Sequence, residues 1–391
     1  MPKKSLVIIA KDYNCVKNTL GRLAFDLAQH SVDNNYIVTV LTADNKKHGR
    51  FVEDNVTVHR VKPFMMGRRM RRVVQQIGPV DIVVSLTQSS SLLFIANKIA
   101  QRVSAKHIQW VHEMRPEINS AMKEECLFRK LFPIDKKYMR EQKKCDHYVV
   151  PGRAMRQKLK GHHILPQKIS FVPNWTNLNG LHLEKKDIIG GQSADLASSK
   201  PLKKDENPKF RIIYAGDLGN AYPVKPVIKA AEALREHSEI EFLFIGDDNA
   251  NSKLAKEREK KGLENIRFIP YQPTGHYKEL LESGDVHLVT LRPAYNGLLV
   301  PCKFYSSLCV GRPIIYLGSA ESEIGQIVEQ YRCGDVIEDM GHQYLVDAIL
   351  KYRHDGQAWF EAQEGAVNAA QEYNPRNSLN MWMDVFKKVL N

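Results

Sequence analysis

Short, fully apolar runs recur along the chain, separated by longer stretches in which apolar residues return every three or four positions. An apolar run without rhythm suits a strand covered on both faces, and the 3.6-residue rhythm suits a helix packed on it. Strands are therefore expected at residues 6–10, 36–41, 56–61, 82–85, 107–111, 147–150 and 169–172 in the first half. In the second half they are expected at 210–215, 240–245, 266–269, 286–291, 313–317 and 334–337. Helical rhythm predicts helices at 17–29, 91–100, 121–142, 154–160, about 223–234, 344–352, 358–372 and 378–390, with Pro375 separating the last two. Strands alternating with helices build parallel sheets, so the pattern predicts an α/β protein of two doubly wound domains with a cleft between them.

Composition sharpens the division. The chain has 391 residues, and at roughly 150 residues per domain that gives two or three domains. Residues 183–209 carry Lys, Asp, Ser and Gly without periodicity, including Gly190-Gly191 and Pro201, and read as a flexible connection or insertion. The expected plan is residues 1–182, the linker 183–209, a second domain 210–375 and a last helix 376–391. The net charge of +13 is uneven: residues 1–200 hold 34 Lys and Arg against 17 Asp and Glu, and residues 201–391 hold 23 against 27. The first half therefore carries the whole excess and is the half expected to face something anionic.

No run approaches the ~18 apolar residues of a membrane-spanning helix, and the start, Met1-Pro2-Lys3-Lys4 before Leu6, is too short in its apolar part for a signal peptide. Cys15, Cys126, Cys145, Cys302, Cys309 and Cys333 are scattered, without C-x-x-C or a His at ligand spacing, which argues against zinc or a disulfide framework and for a reducing compartment. A cytoplasmic location and no metal are the expectations.

In doubly wound sheets ligands sit at the C-terminal ends of the strands, so chemistry is sought there. Ile213-Tyr214-Ala215 runs into Gly216-Asp217-Leu218-Gly219-Asn220 and then a helix. Such a loop is either a tight strand–helix turn or a phosphate cradle, glycine allowing close backbone approach. Phe244-Ile245-Gly246-Asp247-Asp248 has the same form. Thr290-Leu291-Arg292 leads through Tyr295-Asn296-Gly297-Leu298-Leu299 to a helix expected to open at Pro301, with Lys303 in its first turn. A lysine is unfavourable at a helix N-terminus unless an anion shares the site, the alternative being a side chain that reaches out to solvent.

The order of these pieces, with Asn265-Ile266-Arg267-Phe268-Ile269, Asp285-Val286-His287-Leu288, Val300-Pro301-Cys302-Lys303 and Gly311-Arg312-Pro313, resembles the C-terminal domain of retaining glycosyltransferases of the GT-B fold. It is most similar to the bacterial nucleotide-sugar-dependent group, glycosyltransferase family 4, that builds surface polysaccharides. The first half fits as well, through Val111-His112-Glu113, Val150-Pro151-Gly152-Arg153 and Val172-Pro173-Asn174-Trp175. The resemblance implies two Rossmann-like domains facing across a cleft, the last helix packing back toward the first. It implies transfer of a sugar from a nucleoside diphosphate sugar to a glycan acceptor, lipid-linked in this group, with no cofactor and no protein nucleophile.

By position, the resemblance assigns Gly216, Asp217, Leu218, Gly219, Asn220 and Lys303 to the donor diphosphate. It assigns Phe268, Pro270 and Tyr271 to the nucleobase, Tyr295, Asn296, Gly297, Leu298 and Val300 to the donor sugar, and His112 to the reaction centre. Glu113 would hold the His112 tautomer or bind acceptor, unless it is merely a solvated carboxylate. There are departures. The seats of two glutamates common in relatives hold Leu298 and Ser306, and two cations expected after the Ala-Gly turn are replaced by Asp217 and Tyr222. Lys303 is left as the leading counter-charge, with Arg292 and Arg153 behind it.

The basic excess concentrates at Arg68, Arg69, Arg71 and Arg72, beside Phe64, Met65 and Met66, and along 123–144, where Arg129, Lys130, Lys136, Lys137, Arg140, Lys143 and Lys144 interleave with Leu127, Phe128, Leu131 and Phe132. Cations beside apolar side chains fit an anionic membrane or a phosphate-linked acceptor, and place the protein at the inner face of a membrane. The alternative is a solvated basic face. No nucleic-acid-reading module accompanies the charge, so nucleic acid is not an expected partner. Two other functions stay open: a nucleotide-sugar epimerase of the same fold, and a catalytically degenerate sugar- or partner-binding subunit.

Overall fold

A computed structural model of the chain describes residues 3–13, 18–43, 48–62, 73, 77–86, 90–121, 134–178, 209–216, 218–246, 252–270 and 274–391. The chain forms two compact units: residues 1–174 with 297–300 and 375–391, and residues 175–296 with 301–374. Asp217, Tyr271, Arg68, Arg69, Arg71, Arg72, most of the 183–209 segment and the apolar part of the 123–144 group, all named above from the sequence, lie outside the described residues.

The first unit is built on strands β1 (Lys4–Ile9), β2 (Tyr36–Ala43), β3 (Gly49–Glu53), β4 (Val56–Val61), β5 (Ile82–Leu86), β6 (Lys106–Trp110), β7 (His147–Val150) and β8 (Ile169–Phe171). They form one sheet in the order β3-β4-β2-β1-β5-β6-β7-β8. All pairings are parallel except β3 with β4. Helices α1 (Thr19–Asp33), α2 (Ser90–Arg102), α3 (Arg115–Ala121), α4 (Ile134–Gln142) and α5 (Arg153–Gly161) intervene. Burial explains the central strand: Leu6, Val7, Ile8 and Ile9 are all fully enclosed, as a parallel strand with both faces covered requires. The terminal helix, Pro375–Leu390, also belongs here; its Trp382 sits edge-on to Trp110 at 4.7 Å between ring centroids, and Phe386 meets Tyr36.

The second unit runs β9 (Phe210–Ala215), α6 (Lys225–Ala233), β10 (Ile240–Ile245), α7 (Ser252–Lys261), β11 (Ile266–Ile269), α8 (Thr274–Glu282) and β12 (Val286–Thr290). It continues with α9 (Lys303–Cys309), β13 (Ile314–Leu317), α10 (Glu323–Tyr331), β14 (Gly334–Ile337), α11 (His342–His354) and α12 (Gly356–Glu372). Its parallel sheet has the order β11-β10-β9-β12-β13-β14. Strand order reverses between β9 and β12, and between β1 and β5 in the first sheet, which marks the two crevices where such sheets bind ligands.

Of the helix expected at 121–142, residues 122–133 lie outside the described residues; Ala121 closes α3 and Ile134–Gln142 form α4. Two expectations are corrected. Strand β3 was not expected, because Arg50 and Val52 face solvent and blur the apolar run. It pairs back on β4 through Asp54 and Asn55, both at positive φ (46° and 65°), which is the turn that matches strand twist. Finally, the helix expected to open at Pro301 begins at Lys303, and Pro301 precedes it.

Candidate functional site

At the crevice of the second sheet, β9 ends in Tyr214 and Ala215, and the chain turns at Gly216. Gly216 has φ +121°, where a side chain would strain the backbone, and its N–H donates to the Ile245 carbonyl (2.7 Å). Lys303, first residue of α9, reaches this turn. Its Nζ donates to the Tyr214 hydroxyl and lies 4.0 Å from the Tyr214 ring centroid and 3.7 Å from that of Tyr222. A side chain at Gly216 would touch Lys303 Cε at 3.7 Å, so the turn and the ammonium are neighbours. The Arg292 N–H donates to the Ala221 carbonyl (2.8 Å), tying the loop after β12 to the loop after β9. Of the sequence-assigned residues, the structure thus gathers Gly216 and Lys303; Gly219 and Asn220 stand exposed farther along the same loop, and Leu218 leans on the core.

Phe268 is reached from the same point by a cross-strand ladder. In the parallel register Tyr214 pairs with Phe244 and Phe244 with Phe268. Their rings follow at centroid distances of 5.5 and 5.8 Å, so the aromatic row leads from Lys303 out to the sheet edge at β11. Pro270 is exposed just past that edge.

Ser306 is buried, and its hydroxyl lies 3.2 Å from that of Thr176. Tyr295 is buried, and Asn296 Oδ1 is buried without a hydrogen-bond partner among the described residues. Arg292 is exposed. Arg153 lies in the first unit, its guanidinium stacked 4.7 Å over Phe171.

In the first unit, His112 follows β6. Its ring packs on Trp110 (4.8 Å), its Nε2 has no partner among the described residues, and burial pushes its pKa down to about 3. The imidazole is therefore neutral at ordinary pH and offers a hydrogen bond rather than a proton. Glu113 does not hold the tautomer as expected. Its carboxylate is paired with Arg115 at 2.6 Å, an attraction available one short turn away and stronger than a contact with a neutral ring.

Segment 297–300 packs in this same unit. Leu299 forms an antiparallel bridge with Glu113, and the Met114 N–H donates to the Leu298 carbonyl (2.8 Å). Gly297 takes φ +68°, and a Cβ there would stand 3.0 Å from Lys158 Cε and 3.1 Å from Ala154 Cβ. Val300 closes on Gly152, where a Cβ would come within 2.9 Å of Val300 Cγ2. Gly297→Ala is accordingly expected to cost on the order of 1 kcal/mol of stability. If segment and His112 work together, turnover falls further than the melting temperature suggests; steady-state kinetics beside thermal unfolding checks this.

Sequence reading missed Tyr214 and Tyr222 as partners of Lys303. Tyr214 looks like strand core in the sequence, and only the turn at Gly216 brings the lysine back to it. One reactive-looking group proves structural: Cys145, His107 and Asn97 meet in the first unit, with Cys145 Sγ 3.5 Å from His107 Nδ1. All are buried, the His107 nitrogens are engaged by Ser85 and Asn97, and burial pushes the Cys145 thiol up. An un-ionised, enclosed thiol is no nucleophile. Among the described residues no group of three or more His, Cys, Asp or Glu is placed to hold a metal ion, and no helix is long and apolar enough to cross a membrane.

On the basic face, Lys136, Lys137 and Arg140 are exposed along α4. Lys137 and Lys98 of α2 both lie over the Phe94 ring, at 5.5 and 5.8 Å.

The chain is similar to known proteins in both sequence and fold. Residues 197–372 match the family described as glycosyl transferases group 1. The chain is 28% identical over 187 residues to WcaI of Escherichia coli K12, named as a colanic acid biosynthesis glycosyl transferase; the match covers 48% of this chain and 44% of that protein's length. It is 20% identical over 325 residues to the alpha-galactosylglucosyldiacylglycerol synthase of Streptococcus pneumoniae, covering 81% and 80%. In structure it superposes on Anabaena HepE in complex with UDP-glucose with a TM-score of 0.67, at 11% identity, covering 98% of this chain and 99% of that one. The chain thus carries a glycosyl transferases group 1 domain in its second unit, and its two parallel-sheet α/β units have the GT-B fold.

Proposed function

We propose that this chain is a retaining glycosyltransferase that moves a sugar from a nucleoside diphosphate sugar to a lipid-linked glycan acceptor in surface polysaccharide synthesis. The observation that carries the reading is the Lys303 ammonium beside the Gly216 turn, at the crevice between β9 and β12. A departing diphosphate needs a fixed positive charge where its own charge develops, and a pre-placed ammonium supplies it without reorganisation. The row Tyr214, Phe244, Phe268 gives the nucleoside an apolar direction to lie along. His112, neutral and with Nε2 available, would hydrogen-bond the sugar. Retention follows if the leaving phosphate oxygen itself takes the proton of the incoming hydroxyl on the same face, which asks the protein only for positioning. In this reading the diphosphate is neutralised by a side chain, so the reaction requires no metal and no other cofactor.

A neighbour described with UDP-glucose favours a uridine donor, and relatives named for colanic acid and for a diacylglycerol glycolipid favour a lipid-borne acceptor. Lys136, Lys137 and Arg140 then face an anionic membrane at its inner surface, at ~1 kcal/mol per cation near the lipid. A panel of UDP-, GDP- and dTDP-sugars, read by thermal shift and donor hydrolysis with and without anionic liposomes, tests this. We expect one donor to raise the melting temperature and to be hydrolysed, and liposome binding to weaken at high salt. Absence of both stabilisation and hydrolysis sinks the transferase reading. Binding without turnover favours the non-catalytic subunit, consistent with Leu298 and Ser306 at the glutamate seats; indifference to liposomes removes the membrane alone.

A further inference from the structure

The Lys303 ammonium is held on two sides by aromatic faces. Tyr214 is buried at the end of β9 and fixed by its register with Phe244; it both accepts a hydrogen bond from Nζ and presents its ring 4.0 Å away. Tyr222, on the following loop, presents its ring at 3.7 Å. That loop is itself fixed, by the Tyr222 N–H to the Gly219 carbonyl (2.9 Å) and by Arg292 to Ala221. A lysine stem has four rotatable bonds, and free in solution its charge would sweep a wide volume. Clamping it in advance spares the ligand that ordering. Each ring face also attracts the cation, more strongly away from water.

We propose that Tyr214 and Tyr222 are positioning residues for the donor diphosphate, acting together as an aromatic clamp that aims the Lys303 ammonium at the outer phosphate. The inference rests on the donor-site reading above. The clamp acts on one charge only, so its loss should be felt by a nucleoside diphosphate and hardly by a monophosphate. A packing role for the same rings would weaken both alike.

The test is calorimetric titration of the full chain with UDP and UMP, and with GDP and GMP in parallel. The readout is the ratio of monophosphate to diphosphate Kd. Tyr222→Leu is expected to lower that ratio about fivefold or more, and Tyr222→Phe to restore it, because the ring face is kept. Tyr214→Phe keeps the ring and loses the hydroxyl, and is expected to lower the ratio about threefold. A wild-type chain that discriminates in neither nucleotide pair overturns the donor-site reading and the clamp with it. Wild-type discrimination that survives both Tyr222→Leu and Tyr214→Phe, or an equal loss for monophosphate and diphosphate, overturns the clamp alone.

Discussion

Lys303→Ala is expected to weaken nucleoside diphosphate binding by roughly 10- to 100-fold while leaving the monophosphate within about threefold. The magnitude is that of one charge-assisted hydrogen bond, about 1.5–3 kcal/mol, at ~1.4 kcal/mol per factor of ten. Lys303→Arg is expected to recover little. A planar guanidinium is broader than an ammonium and has to fit between rings whose centroids lie 4.0 and 3.7 Å from Nζ. Turnover should fall more than affinity, since the charge on the diphosphate grows as the glycosidic bond breaks. Unchanged UDP and GDP affinity in Lys303→Ala would remove the residue from the donor site.

Acidification is expected to unfold the first unit before the second. Burial holds His107 and His147 at about 4 and His112 at about 3 in the first unit, and His287 at about 4 in the second. An unfolded histidine takes up its proton near 6.5. Between those values the unfolded chain binds more protons than the folded one, so stability is full above about pH 6.5 and drains as the pH falls. Each histidine contributes at most ~1.4 kcal/mol per pH unit, so His107 and His112 together remove up to about 3 kcal/mol per unit near pH 5, and His147 adds to the loss. In that unit Glu117 and Glu141 are also depressed: burial acts to raise both, and hydrogen bonds, from His162 to Glu117 and from Lys144 and Asn97 to Glu141, outweigh it. Both therefore add to the loss below their unfolded pKa. In the second unit burial raises Asp285, which opposes the loss, while hydrogen bonds depress the surface groups Glu232 and Glu239, which add to it. Urea unfolding at pH 7, 6 and 5 checks this, with Trp110 and Trp382 reporting the first unit and Trp175 and Trp359 the second. Stability that stays flat over that range would contradict the buried neutral histidines.

The sheets were legible in the sequence because their strands are apolar on both faces; runs such as Leu6–Ile9 and Ile212–Tyr214 have no polar alternative. The helices were less so. In α7 Leu254 is the one buried side chain among the described residues, and the run 252–261 shows no periodic apolar stripe in its sequence. Strand β3, an antiparallel edge with Val52 in solvent, was invisible for the same reason. Gly216, Phe268 and Lys303 in the second unit and His112 in the first were named from strand-end position and resemblance. What could not be read was who touches whom. Tyr222 counted in the sequence only as a missing cation, and Glu113 as a partner for His112, whereas Arg115 two residues on captures it. Side-chain partnership across 89 residues, as between Lys303 and Tyr214, leaves no local trace.

Segment 297–300 has a consequence for anyone recombining such enzymes. The chain crosses between its units four times, after residues 174, 296, 300 and 374, and the short excursion lies antiparallel to Glu113 directly after His112. A chimera cut once, between residues 174 and 175, would import a foreign tetrapeptide and a foreign terminal helix into the first unit. Transplanting the second unit intact therefore means leaving 297–300 and 375–391 with the host. A swap made without that care would also change the neighbours of His112.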